Sequence, residues 1–338
     1  MREDNYIIQK EMFQPAKIES SYKETIIRES LTFWQDAWLR LRKNKGAFAG
    51  LIIICSIICL AIVGPFLSPY SYDEQDLSRA NLPPKVPLLE KVPFIGFSGY
   101  DIRGIDQYEK KGINDYYWFG TDHLGRDLWT RTWQGTRISL YIAFLAAAID
   151  FIIGVAYGGI SAFYGGRVDN IMQRIIEVLV GIPHLIVVIL LILVLNPGIL
   201  SITLAMVITG WVGMARIVRG QILKLKGQEF VLASKTLGAN DHRLIWKHLI
   251  PNTLGAIIIT TMFTIPTAIF TEAFLSFIGL GLRPPHSSLG TLVNDGFKTM
   301  RIYPHMMVIS SVIISLIMIS FNLLGDGLRD ALDPKMRR

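Results

Sequence analysis

Long blocks of apolar residues with almost no charge dominate this sequence. A helix must run for about 20 residues to cross the hydrocarbon core of a bilayer. Blocks of that kind occupy 46–67, 138–164, 178–215, 252–282 and 306–325. The block at 178–215 is too long for one span, and its Asn196-Pro197-Gly198 sequence favours a turn between two helices. The pattern predicts an all-α integral membrane protein with six transmembrane helices, because continuous rather than alternating runs exclude a closed β-barrel.

The net charge of +7 is explained by the topology expected of such a protein. Only 18% of the 338 residues are charged, and 51% are hydrophobic. Lys and Arg accumulate in the cytoplasmic loops of membrane proteins, so a basic balance does not by itself indicate nucleic acid. We therefore expect membrane lipid, and no nucleic acid, among the partners.

The segment between the fourth and fifth spans sets the expected orientation. Residues 216–247 contain seven Lys or Arg and only two acidic residues. Short basic loops are cytoplasmic, which places both termini of this multi-pass protein of the cell membrane in the cytoplasm. Residues 1–45 are polar and do not resemble a signal peptide, so the first apolar block is expected to remain as an anchor.

These features divide the chain into five parts. They are a cytoplasmic segment at 1–45, a first span at 46–67, an extracytoplasmic loop at 68–137, a five-helix core at 138–325 with a cytoplasmic loop at 217–251, and a cytoplasmic tail at 326–338. Apolar residues at helical spacing within 28–45, including Trp34 and Trp38, predict an amphipathic helix on the inner membrane surface. Residues 68–137 could fold as a small subdomain or cover a partner.

No catalytic or metal-binding pattern is present in the sequence. There is no Walker-type Gly-rich loop, no Gly-x-Ser-x-Gly elbow and no His-Glu-x-x-His pair. Cys55 and Cys59 lie in an apolar run without further ligands at metal spacing. We expect a protein that is not an enzyme, with no catalytic residue, no metal and no cofactor of its own.

The most informative stretch is the basic loop around Phe230–Asp241. It predicts a short helix, a break at Gly238, a second short helix and a proline, Pro251, at the start of the next span. A helix-turn-helix along the membrane is a lever, because a partner that pushes it moves the attached spans. The residues expected to contact such a partner are Leu232, Ala233, Ser234, Leu237, Gly238, Ala239 and Pro251.

The spacing of Ala233, Gly238 and Pro251 resembles the "EAA" loop of binding-protein-dependent ABC importers, with Leu232 in place of Glu and Ser234 in place of an Ala. The stretches 118–127, 135–140 and 275–290 resemble the oligopeptide, dipeptide and nickel permeases, C-type subunit, and the likeness covers about residues 35–338. The third-span positions Asp169, Arg174, Glu177 and Pro183 also match that group, in which Glu177 is more often Asp.

This resemblance implies a permease of the type I, MetI-like fold that forms half of a translocation pore. The implied partners are a related B-type permease, two ABC ATPase subunits that hold ATP and magnesium, and an extracytoplasmic peptide-binding protein. Oligopeptides are the expected cargo, because the insert at about 80–118 resembles that of Gram-positive oligopeptide permeases. Dipeptides and nickel chelates remain open as alternatives.

Four polar residues lie in or beside the apolar blocks. A charge at such depth costs about 2.5–3.5 kcal/mol, so it faces a polar path or a partner within the bundle. We expect the four either to line the translocation path or to pack helices together, Asp150 and Glu177 by pairing with an Arg such as Arg167 or Arg174. They are Asp150, Glu177, His184 and Glu272.

Two other classes of membrane protein remain as alternatives. A secondary transporter would show an inverted repeat with broken helices, and the sequence has no clear internal repeat. An intramembrane enzyme would need paired catalytic groups within its spans, and none are visible.

Overall fold

The structure is a computed structural model, and it describes residues 32–87 and 96–332. These ranges are mostly helical, apart from a largely irregular segment before α4, and they contain no strand beyond isolated bridges. The helices, in chain order, are α1 (Phe33–Lys43), α2 (Lys45–Leu67), α3 (Gln107–Lys111), α4 (Leu128–Tyr164), α5 (Gly166–Gly181), α6 (His184–Leu195), α7 (Ile199–Leu225), α8 (Glu229–Thr236), α9 (Asp241–Arg243), α10 (Ile250–Leu275), α11 (Leu289–Thr299) and α12 (His305–Leu332).

Five helices of the described chain are long and apolar enough to cross a membrane. They are α2, α4, α7, the continuous helix Asp241–Leu280 that contains α9 and α10, and α12. The pair α5 and α6 passes the same test together but bends by 77° at Ile182-Pro183. Counted as one broken span, the pair gives the sixth transmembrane segment, and the predicted all-α, six-span fold is confirmed.

Small residues let neighbouring spans pack closely. A side chain at Gly154 on α4 would lie 2.6 Å from Cβ of Met214 on α7, and one at Gly50 on α2 would lie 2.7 Å from the Ser320 carbonyl oxygen on α12. Close backbone approach is the main source of attraction between helices in lipid, where the hydrophobic effect does not act between them. The α4–α7 and α2–α12 pairs therefore build the frame of the bundle.

An arginine repairs a gap that proline leaves in α2. Pro65 has no N–H, so the carbonyl of Ala61 loses its partner within the helix. Arg137 on α4 donates to that oxygen through Nε at 3.1 Å and Nη2 at 3.0 Å. An unpartnered carbonyl would be costly at membrane depth, and the contact also ties α2 to α4.

Residues 68–87 and 96–127 form an ordered cap on one end of the bundle, which we call the loop face. Its small core contains Leu82, Tyr108 and Tyr117. The Tyr108 hydroxyl donates to the Pro83 carbonyl at 2.8 Å, and Arg79 donates to the Tyr117 hydroxyl at 2.6 Å. Burial raises the pKa of Tyr108. The cap therefore has internal polar and apolar contacts that hold it together without a disulfide.

The turn before α4 explains the Gly-Thr-Asp-x-x-Gly-Arg-Asp sequence. Asp122 accepts backbone N–H bonds from Leu124 and Arg126, and a further bond from Arg126 Nε at 2.7 Å. Gly125 has a φ of +76°, and a side chain there would collide with the Asp76 carbonyl. Asp127 then caps α4, and burial raises its pKa. This conspicuous motif is a folding device of the cap.

Several helices extend beyond the predicted boundaries, because hydropathy does not register the polar first and last turns of a helix. The loop at 68–137 ends at Asp127, where α4 begins ten residues before the predicted 138. The tail at 326–338 starts inside α12, which continues to Leu332. The loop at 217–251 includes the last turns of α7 and the first of α10. The third span starts at Gly166 rather than at 178.

The N-terminal helix α1 is shorter than the predicted 28–45, of which 28–31 lie outside the described residues. Thr32 and Gln35 form a capping box, and Ala37 and Leu41 are buried. Trp34 and Trp38 are 58% and 46% exposed. One apolar edge of α1 thus packs on the protein, while its two indoles remain at the surface, and its place on the inner membrane surface stays a prediction.

Candidate functional site

The segment between α7 and α10 forms the opposite end of the bundle, which we call the basic face. Here α8 ends at Thr236, and Gly238 adopts a φ of +84°, in the left-handed region that favours glycine. Asn240 caps α9 by accepting the Arg243 N–H at 2.8 Å. The chain then passes through a π-helical stretch, Leu244–Leu249, directly into α10, with Pro251 in its first turn. The observed order is helix, glycine turn and helix.

One side of this segment is anchored in the bundle. Val231 is 3% exposed and packs in a cluster with residues of α7 and of the π-helical stretch, including Ile222 and Leu249. Lys226 donates to the Phe163 carbonyl at the end of α4. Val231 therefore anchors α8 in a cluster that also contains residues of α4, α7 and α10, and Lys226 ties the end of α7 to α4.

The other side presents apolar groups to solvent. Leu237 is 89% exposed and Leu232 is 52% exposed, while Ala233 and Gly238 are exposed between them. Phe230 and Trp246 are also exposed, and neither is among the contact residues predicted from the sequence. The sequence signal that could have identified them is the presence of aromatic side chains in a loop that also contains small residues and a glycine turn. An exposed apolar ridge on a rigidly attached helix is typical of a protein docking surface.

The buried carboxylate of Glu272 lies in a closed hydrogen-bond network. Ser139 on α4 donates to its Oε2 at 2.8 Å, and Ser276 donates to its Oε1 at 2.7 Å. Ser288 donates to Ser276, and the Leu289 N–H donates to Ser139 at 3.2 Å. Glu272 is completely buried and is not among the cavity-lining residues. Its contacts tie α4, α10 and the start of α11 together, which favours a packing role.

Asp150 has a different environment, in the wall of a cavity of about 330 Å³ between α4, α6, α7 and α10. The side chain is 5% exposed, and its Oδ1 has no hydrogen-bond partner within the described residues. Gly210 on α7 leaves room for it, since a Cβ there would lie 2.6 and 2.7 Å from the two carboxylate oxygens. No Arg contacts Asp150 in the described chain, so the predicted pairing with Arg167 or Arg174 is not observed.

His184 lines the same cavity. It starts α6, directly after the bend at Pro183, and its Nδ1 lies 2.8 Å from the Thr209 hydroxyl on α7. Of the four polar residues selected in the spans, the structure therefore brings Asp150 and His184 to one cavity, and it places Glu272 and Glu177 elsewhere.

Glu177 lies on an exposed side of α5. It pairs with Arg174 at 2.5 Å, and both side chains are more than half exposed. The stronger link of α5 is Asp169, which accepts two bonds from Arg219 on α7, at 2.7 and 2.5 Å, and one from Ser161. This bidentate pair joins the broken span to α7 just before the basic face.

Comparison with known proteins is consistent with this architecture. The family described as "Binding-protein-dependent transport system inner membrane component" matches residues 151–338, and "N-terminal TM domain of oligopeptide transport permease C" matches residues 32–84. The dipeptide transport system permease protein DppC of Bacillus subtilis strain 168 is 50% identical over 93% of this chain and 90% of that protein. The oligopeptide transport system permease protein OppC of the same strain is 47% identical over 98% and 99%.

More distant relatives agree. The oligopeptide transport system permease protein OppC of Escherichia coli strain K12 is 36% identical over 94% of this chain and 96% of that protein. Among solved structures, a chain from inward-facing conformations of the MetNI methionine ABC transporter superposes with a TM-score of 0.50 and 19% identity, over 60% of this chain and 96% of that one. That likeness supports the MetI-like helical fold alone.

The sequence identity and the coverage of these matches are higher than a shared fold alone requires. With six apolar segments, a helix-glycine-helix segment at one end and relatives at 36–50% identity over nearly the whole chain, this protein belongs to the oligopeptide/dipeptide permease family of binding-protein-dependent ABC importers.

Proposed function

We propose that this chain forms half of the translocation pore of an oligopeptide importer and couples the movement of two ATPase subunits to the opening of that pore. The observation that carries the proposal is the exposed ridge of Leu232 and Leu237 on a helix that is anchored to three spans through Val231. A related B-type permease completes the pore, and an extracytoplasmic binding protein delivers the peptide.

In this arrangement the basic face lies in the cytoplasm and the loop face lies outside. The excess of Lys and Arg in 216–247 supports this orientation, as does the basic cluster Arg40, Arg42 and Lys43 at the end of α1. Both termini are then cytoplasmic, and the protein lies in the cell membrane. The cap, formed by residues 68–87 and 96–127, faces the compartment from which the binding protein approaches.

The contacts give a physical route from the basic face to the cavity. Displacement of α8 moves α7 and α10 through the Val231 cluster. Both of those helices line the cavity, with Met214 and Thr264 among the lining residues. The ion pair of Asp169 and Arg219 carries the same movement to α5. Closure of the ATPase subunits would thus change the shape of the cavity wall without any catalytic residue from this chain, while ATP and magnesium stay on the partners.

Variants of the glycine turn test the coupling role. Gly238→Pro cannot adopt a φ of +84°, whereas Gly238→Asn tolerates the left-handed region and serves as the matched control. In proteoliposomes that contain the assembled transporter, we expect Gly238→Pro to lower peptide uptake about tenfold or more and to leave ATP hydrolysis measurable. Normal uptake by a stably assembled Gly238→Pro variant would contradict the coupling role.

A charge on the exposed ridge tests docking itself. Leu237→Asp places a carboxylate where an apolar contact is expected. Lys235→Asp, at an exposed position two residues earlier, is the control for negative charge, since it lowers the net charge by two rather than one. We expect only Leu237→Asp to reduce co-purification of the ATPase subunits. Equal retention by the two variants would show that the ridge is not the docking surface.

The cargo has two candidates within the family. The relative at 50% identity is named a dipeptide permease and the one at 47% an oligopeptide permease. We favour oligopeptides because the family match at residues 32–84 is to oligopeptide permease C. Uptake of a labelled pentapeptide and of a labelled dipeptide, each with the native binding protein, distinguishes the two. Uptake of the dipeptide alone would establish the second candidate.

A further inference from the structure

One wall of the cavity that contains Asp150 carries a row of hydroxyl groups. Four threonines of α10 lie on one face of the helix, at spacings of four, three and four residues. They are Thr260, Thr264, Thr267 and Thr271, and all four line the cavity. Methionine and aromatic side chains, Met206, Met214 and Phe263, make up part of the remaining surface.

The hydroxyl protons of these threonines are already in use. Each one donates to the carbonyl four residues earlier, at 2.8 Å for Thr260, 3.1 Å for Thr264, 2.9 Å for Thr267 and 2.8 Å for Thr271. What each hydroxyl still offers to the cavity is its oxygen lone pairs, which accept hydrogen bonds. The wall of α10 therefore suits a ligand that presents N–H groups.

Asp150 gives the same wall a carboxylate. Asp150 is only 5% exposed, and its Oδ1 has no hydrogen-bond partner within the described residues. Gly210 keeps the adjacent surface of α7 clear. A carboxylate in such surroundings is costly without a cationic or hydrogen-donating partner. The other titratable side chain of the cavity, His184, is engaged with Thr209.

We propose that the Asp150 carboxylate binds the terminal ammonium group of a peptide in transit, while the threonine oxygens of α10 accept N–H bonds from its first residues. This deepens the proposed function and rests on it. A cavity of about 330 Å³ is at the lower end of small-molecule sites, enough for the leading residues of a chain rather than a whole oligopeptide. Flexible methionines accommodate different side chains, so the site reads the peptide terminus and not its sequence.

The test uses a thiol in the cavity, so that the preference of the binding protein does not enter. Gly213 lines the cavity, and a Cβ there meets nothing within 4 Å, which makes Gly213→Cys a suitable probe position in a Cys55→Ser, Cys59→Ser background. In the assembled transporter, the rate of modification by a neutral methanethiosulfonate is measured with a tetrapeptide amide or with its N-acetylated form. The comparison is repeated with Asp150→Asn, and with Asp326→Asn as an exposed carboxylate control.

We expect the free peptide to protect the thiol at about tenfold lower concentration than the acetylated one, as for a charge-assisted hydrogen bond. Asp150→Asn should abolish that difference and Asp326→Asn should keep it. Equal protection by the two peptides would overturn the proposal. So would failure of the Asp150→Asn chain to assemble, which would indicate a cation from the second permease as the partner of Asp150. ATP-dependent uptake by the unmodified transporter checks the proposed function separately, since its absence would refute that function whatever the thiol reports.

Discussion

Glu272 and Asp150 are two buried carboxylates of one helical bundle, and their surroundings differ in every respect. Glu272 accepts bonds from Ser139 and Ser276 and is completely enclosed. Asp150 has an oxygen without a partner in the described chain and borders a cavity. Both follow from the same rule, that a charge at depth needs a partner. In one case the fold supplies that partner, and in the other the fold leaves a place for it.

The difference predicts different roles for the two carboxylates. Glu272 joins α4, α10 and α11, so its removal should lower the free energy of unfolding. The observed contacts give Asp150 no part in helix association, so its removal should affect transport rather than stability. Measurements of stability on the two carboxylates and their neighbours can break this comparison.

Removal of the carboxyl group at the closed network should have the largest effect. Glu272→Leu leaves the hydroxyls of Ser139 and Ser276 buried without their acceptor, and we expect the free energy of unfolding to fall by about 3 kcal/mol or more. Glu272→Gln, which retains an acceptor oxygen, should lose less. Denaturation in mixed detergent micelles measures both. A Glu272→Leu chain as stable as the original would show that the network does not support the fold.

A double-mutant cycle tests whether Gly210 exists to make room for Asp150. Gly210→Ala should cost about 1 kcal/mol, because its Cβ would lie 2.6 Å from the carboxylate. With Asp150→Ala the same change should stabilise α7 by up to about 1 kcal/mol, as alanine normally does within a helix. The coupling energy is thus about 2 kcal/mol. Additive effects in the same unfolding assay would mean that the two residues are independent.

A smaller loss is expected at the edge of the Glu272 network. Ser139→Ala removes one donor to Glu272 and the acceptor of the Leu289 N–H, at a cost of about 1–2 kcal/mol. Ser56→Ala, whose hydroxyl bonds only to the carbonyl of its own helix at an exposed position, is the control with little expected change. Equal unfolding energies for the two variants would argue against a cross-helix role for Ser139.

The smallest effect on stability is expected at Asp150 itself. Asp150→Asn removes a charge without breaking an observed bond, so the free energy of unfolding should change by less than about 0.5 kcal/mol or increase. The isolated chain is the appropriate sample, since other subunits could contribute contacts. A loss comparable to that of Glu272→Leu would place Asp150 among the structural residues and remove the contrast.

Much of the fold follows from hydropathy and spacing. The six apolar segments and the helix-glycine-helix order at 229–243 were predictable because each depends on neighbouring residues along the chain. The start of α4 at Leu128 was not, since its cap at Asp127 follows a polar turn that hydropathy assigns to a loop. The bend at Pro183 was not predicted either, because a proline in an apolar run fits either a kinked helix or two helices.

The candidate sites divide in the same way. Gly238 was identifiable because its backbone requirement is local, whereas the exposure of Phe230 and Trp246 depends on which side of their helices buries Val231 and Leu249 in the bundle. The sequence by itself determined a six-span membrane protein of this permease family with a helix-glycine-helix segment at its basic face. Only the tertiary structure decided which buried carboxylate is satisfied and which faces a cavity. The reason is that other helices supply the hydrogen-bond partner or the open space. Ser139, for example, lies on α4 and is separated from Glu272 by 133 positions, and no periodicity along the chain indicates such a contact.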